Sequence, residues 1–112
     1  MITLLDQQID HAMKLFSNDQ RQKGLELMQK IVDENPQKAN AVHGLAMMML
    51  NMDRPEEAKP FLEKSIELEP NNPVYYCNFG AFWTRINEHE KSLEYLFKAI
   101  ELKDDYTDVM LN

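Results

Sequence analysis

Ser65-Ile66-Glu67-Leu68-Glu69-Pro70 and Ala99-Ile100-Glu101-Leu102-Lys103-Asp104 are near-copies of one phrase. A more diverged copy, Ile31-Val32-Asp33-Glu34-Asn35-Pro36, precedes the first by the same interval that separates the first from the second. The constant spacing divides the chain without gaps into units at about 5–38, 39–72 and 73–106. Repetition at a period of this size marks stacked supersecondary units, none of which can bury its apolar face alone.

Other columns hold the same register. Small residues recur at Ala12, Ala46 and Gly80, and again at Gly24, Ala58 and Ser92. Large apolar residues recur at Leu15, Met49 and Trp83, at Met28, Leu62 and Leu96, and at Val32, Ile66 and Ile100. Each unit reads as two antiparallel helices, because two backbones approach closely only where the facing side chains are short. In the middle unit the first helix is expected over Ala39–Asn51. Asp53-Arg54-Pro55-Glu56-Glu57 then punctuates the chain, with Asp53 as a cap and Pro55 in the first helical turn. The second helix is expected to stop before Pro70. Asn18-Asp19 and Asn87-Glu88 supply the inner turns of the outer units, and Asn35-Pro36 and Asp104-Asp105 close them. Pro60 lies inside a predicted helix, where proline costs about 3 kcal/mol and bends the axis. Gly24 weakens its helix by about 1 kcal/mol relative to Ala.

Composition limits the function classes. The chain has 112 residues, 44% of them hydrophobic and 28% charged, which suits a folded helical domain. A net charge of −7 repels phosphate backbones, so no nucleic-acid partner is expected. Cys77 is the one cysteine, so no internal disulfide forms, and a reducing, cytoplasmic setting is the expectation. The N-terminus has neither the basic flank nor the apolar run of a signal peptide, and no segment is long and apolar enough to span a membrane. His11, His43 and His89 show no metal-ligand spacing. Cys77 has no His or Asp at a nucleophile's spacing, and no glycine-rich phosphate loop occurs. No catalytic residue, metal or cofactor is therefore expected. His11 reads as a half-buried packing histidine. Of the run Met47-Met48-Met49, which cannot share one helix face, Met49 reads as core and Met47 as the surface member.

The motifs resemble the tetratricopeptide repeat, whose pattern is Trp-x2-Leu-Gly-x2-Tyr, then Ala-x3-Phe, then Pro. The third unit carries Tyr76-x2-Phe79-Gly80-x2-Trp83 and Ser92-x3-Leu96. The second carries Val42-x2-Leu45-Ala46-x2-Met49, Ala58-x3-Leu62 and Pro70. The first departs furthest, with Gln8-x2-His11-Ala12-x2-Leu15, Gly24-x3-Met28 and Pro36. The resemblance implies an all-α fold, an α-α superhelical solenoid of three tandem helix-turn-helix units forming a single repeat domain. Residues 107–112 would start a truncated fourth unit, which suggests an N-terminal fragment of a longer protein.

In this family the first helix of each unit lines a concave face. That implies a partner-binding groove including Ile9, Met13, Phe16, His43, Met47, Leu50, Asn51, Asn78 and Arg85. A clamp for a C-terminal carboxylate is disfavoured, since Asp10 and Gly44 stand where the clamp needs cations or amides. Asn78 and Asn112 would be two rungs of the asparagine ladder found in large protein O-glycosyltransferases. The implied function is a non-catalytic protein-interaction module that holds a peptide or protein segment. The alternatives are the substrate-targeting arm of a larger enzyme, with catalysis beyond Asn112, and a self-assembling scaffold. The last helix leaves Leu93, Leu96, Phe97 and Ile100 uncovered, so self-association through that end is a further expectation.

Overall fold

The computed structural model describes residues 2–111, with side chains through residue 103. Six helices and no strands occur among the described residues: α1 (Leu4–Ser17), α2 (Arg21–Glu34), α3 (Ala39–Asn51), α4 (Pro55–Leu68), α5 (Pro73–Arg85) and α6 (His89–Leu111). They fall into two compact units, residues 1–61 and 62–112.

The inner turns share one geometry. Asp19, Asp53 and Asn87 occupy one column of the repeat, and each has a positive φ of 60–66°. Around this left-handed position the chain closes a 6→1 bond. The N–H groups of Gln20, Arg54 and Glu88 donate to the carbonyls of Leu15, Met49 and Trp83 at 2.8–3.0 Å. This satisfies carbonyls that a helix end would otherwise leave bare, and Asp and Asn tolerate the left-handed conformation better than most residues. Asp53 therefore belongs to the turn that ends α3. Arg54 occupies the cap, with Pro55 as the first helical residue, where its missing N–H costs nothing.

α1 opens on a capping box in which the Thr3 hydroxyl accepts from the Asp6 N–H and the Asp6 carboxylate accepts from the Thr3 N–H. At α5 the Asn72 side chain accepts from the Val74 N–H at 3.0 Å, just ahead of Pro73. α4 runs on through Pro60 as one helix. The carbonyl that Pro60 cannot serve is that of Glu56, and both residues are exposed, so water can reach it. α6 continues helical past Asp104-Asp105, where a stop was expected. Units one and two close on prolines, and no proline stands here to remove a backbone donor. The expected fourth unit, 107–112, falls where side chains are not described, and Asn112 lies outside the described residues.

In the first unit α1 and α2 meet at the small columns. A Cβ on Gly24 would come 2.7 Å from the Phe16 backbone nitrogen and 2.8 Å from the Ala12 carbonyl oxygen, so the glycine is the condition for the close approach. α3 then packs on α2 and α1, and Met28, Val42 and Leu45 are fully enclosed. Ala46 and Ala58 are likewise enclosed. In the second unit Gly80 plays the part of Ala12. A Cβ there would meet the Leu96 side chain at 2.8 Å and the Ser92 carbonyl at 3.3 Å. The core of that unit is aromatic: Phe79 packs on Tyr95 at 4.6 Å and on Trp83 at 5.3 Å between ring centroids. Lys91 lies 4.5 Å from the centre of a Trp83 ring.

Gly24→Ala should destabilise by about 1–3 kcal/mol despite the better helix propensity of Ala, because backbone atoms block the methyl. Gly44→Ala meets only flexible side-chain ends, those of Met28 at 3.2 Å and Met13 at 3.6 Å. It should be neutral or stabilising by up to about 1 kcal/mol. Urea-denaturation midpoints of the two variants test the contrast.

Candidate protein-binding surface

The first helices carry the residues implied by the family's groove. On α1, Met13 is 43% exposed and Phe16 is half-buried, one turn apart on the same face. On α3, His43 and Met47 are half-buried one turn apart, and Asn51 is exposed at the end of the helix. The two helices are neighbours at Gly44, where an added Cβ would lie in ordinary contact with the Met13 sulfur, at 3.6 Å. Met13, Phe16 and Met47, with His43, are thus part-exposed on two neighbouring helices of the first unit, and together they are called the strip. Ile9 and Leu50 are buried and serve packing more than display. Arg21 stands 5.9 Å from the centre of the Phe16 ring. Lys38, just ahead of α3, pairs with Asp6 of α1 at 3.2 Å. The Thr3 hydroxyl, then the Thr3 N–H and Lys38, hold the Asp6 carboxyl below its ordinary value.

Within the methionine run, Met48 and Met49 are buried and Met47 is the surface member, as its helix position implied. His11 is exposed, contrary to the half-buried placement read from the sequence. Its counterpart in α3, Leu45, faces the helices of the first unit, whereas nothing described covers that side of α1.

On α5, Asn78 is half-buried, Arg85 is exposed, and Val74, Cys77 and Ala81 are exposed. The Thr84 hydroxyl is already engaged, donating to the Gly80 carbonyl at 3.3 Å and pairing with the Ser92 hydroxyl. Leu93, Phe97 and Ile100 of α6 are exposed, and Leu96 is half-buried. Between α5 and α6 runs an apolar groove of about 520 Å³, reached by Val74, Cys77, Leu96 and Ile100. Sequence reasoning marked Leu96 and Ile100 as uncovered but missed their joining Val74 and Cys77 in one concavity. The register was the available signal.

Among the described residues no three His, Cys, Asp or Glu side chains are grouped so as to hold a metal ion. No described helix is long and apolar enough to cross a membrane.

Burial pushes the His43 imidazole below its ordinary value of 6.5, because desolvation penalises the charged form. The unfolded chain then binds a proton that the folded chain refuses. Stability from this residue is fully present above the unfolded value and is lost as pH falls through the folded one. His43→Gln should shrink the loss of stability between about pH 7.5 and about pH 5, read from urea midpoints of both proteins. An identical loss in the variant would assign the effect to another group.

The sequence model of the tetratricopeptide repeat matches residues 15–76, more than half of the chain. The chain is 26% identical over 88 residues to anaphase-promoting complex subunit 3 of Schizosaccharomyces pombe, covering 79% of this chain and 13% of that protein. It is 34% identical over 65 residues to TPR repeat-containing protein BH2049 of Halalkalibacterium halodurans, covering 58% of this chain and 29% of that protein. The matched segments thus span less than a third of either relative. Among solved structures, a crystal structure of MamA is similar with a TM-score of 0.86 at 19% identity, over 96% of this chain and 63% of that one. The evenly spaced hairpins, their small-residue contacts and these matches lead to one assignment: the chain belongs to the tetratricopeptide-repeat family.

Proposed function

We propose that this chain is a non-catalytic module that holds a peptide or protein segment on its first helices. The observation that carries the reading is the strip of Met13, Phe16, His43 and Met47 on α1 and α3. These side chains are part-exposed although three of the four are apolar. Methionine and aromatic side chains suit such a surface because they adapt in shape and gain much from desolvation. Asn51, at the end of α3, is the candidate polar contact beside the strip, able to pair with peptide N–H or C=O groups, and Asn78 and Arg85 of α5 would offer such pairing on the second unit by itself. Ile9 and Leu50 support the strip from beneath. The family fits a protein-interaction role, and one relative is by its name a subunit of a complex.

Self-association through the face of α6 outside the α5–α6 groove is a second reading, favoured by the exposure of Leu93 and Phe97. Association of isolated chains through that face should be concentration-dependent in sedimentation and weakened by Phe97→Glu.

Met13→Glu combined with Met47→Glu should leave the thermal melt nearly unchanged, since neither site is fully buried. Peptides selected from a displayed library against the unaltered chain should bind this double variant at least about tenfold more weakly, a loss of about 1.4 kcal/mol. Equal affinity for both proteins would remove the strip from the binding surface.

A further inference from the structure

The two units allow an internal comparison, because residues 5–35 and 73–103 stand in the same repeat register, two periods apart. In the first unit α3 is seated on α1 and α2. The seat includes Ile9, Met28, Ile31 and Val32, all buried. Their counterparts in the second unit are Cys77, Leu96, Ala99 and Ile100, and these border the open groove between α5 and α6. Val32 is 6% exposed and its counterpart Ile100 is 55% exposed. Cys77 is exposed where Ile9 is buried. The seat is thus built in both units and filled by the described chain in one.

We infer that the α5–α6 groove is a docking site for an amphipathic helix of a partner protein, one whose apolar stripe repeats that of α3. That stripe is Ala41, Val42, Leu45 and Met48, small and aliphatic residues on one face. Two observations point to a different protein as the donor. α2 stops at Glu34, and the turn through 35–38 delivers α3 onto its seat, whereas α6 continues as helix to Leu111 with no such turn after Lys103. A second copy cannot offer its own leading helix head to tail. The α1 residues in the columns of that stripe are Gln7, Gln8, His11 and Lys14, all polar and exposed.

Charge sharpens the description of the partner. Lys103 stands in the column of Asn35, at the end of the seat where the docked helix begins. An ammonium there opposes the positive end of a helix dipole and favours acidic residues in the partner's first turn. Asp6, which pairs with Lys38 in the first unit, is replaced by exposed Val74 in the second. The new seat accordingly asks for an apolar or acidic residue where α3 is preceded by lysine. The inference concerns a different surface from the strip on α1 and α3 and does not rest on it.

The test uses the whole chain and a synthetic peptide of residues 38–52 carrying Lys38→Asp. Cys77, at the groove's edge, reports occupancy through its rate of reaction with a maleimide. Saturating peptide should slow that reaction about tenfold, by mass action. Ile100→Glu, at an exposed position, should abolish the protection with helix content unchanged, and Val74→Asp should weaken it. The Met13→Glu, Met47→Glu double variant should keep full protection, so failure of the first-helix reading would be seen separately. Absence of protection, or protection that survives Ile100→Glu, would overturn the inference. So would slowing of the Cys77 reaction with protein concentration alone, which would give the seat to a second copy.

Discussion

Close approach of antiparallel backbones is the constraint on which each hairpin depends. Where Gly24 faces Ala12 and Phe16, there is no room for a single methyl group. Where Gly80 faces Ser92 and Leu96, the space left by the missing side chain is taken by Leu96 itself. Helix propensity argues against both glycines, so the packing gained at the contact outweighs the local cost. The left-handed residues at Asp19, Asp53 and Asn87 set the return of the chain and so bring the small columns into register. Contact and turn act as one device, repeated once per period.

The units use this device differently. The first builds an aliphatic and methionine core in which α3 completes the enclosure of Met28. The second relies on Phe79, Phe82, Trp83 and Tyr95, whose tilted and edge-on rings bury much area within one hairpin. With this core made inside the hairpin, Leu93, Phe97 and Ile100 stay exposed among the described residues of α6.

Function in such a fold comes from what the packing leaves over. Side chains needed to hold the hairpins are buried, and those on the remaining face of the first helices are free to vary. The strip on α1 and α3 and the groove between α5 and α6 are both leftovers in this sense. One is a face that α3 does not use in packing, and the other is a seat that the described chain does not fill. Neither carries grouped acids, nucleophiles or metal ligands, and both suit recognition by shape and apolar burial.

The period, the hairpin boundaries near Asn51, Pro55 and Pro70, and the membership of the small columns were legible in the sequence. Each of these depends on residues near one another along the chain or on repetition at a constant interval. The left-handed backbone of Asp53 was not legible, because the composition of Asp53-Arg54-Pro55 does not fix φ. The stop at Asp104-Asp105 was misread because two aspartates do not end a helix without a residue that removes a backbone donor. Burial was the property that only the tertiary structure decided. His11 and Leu45, or Val32 and Ile100, share a column in the sequence and differ in exposure because one has a helix against it and the other does not. Which repeats find a neighbour is a matter of assembled helices, and that is why the groove between α5 and α6 became visible only in three dimensions.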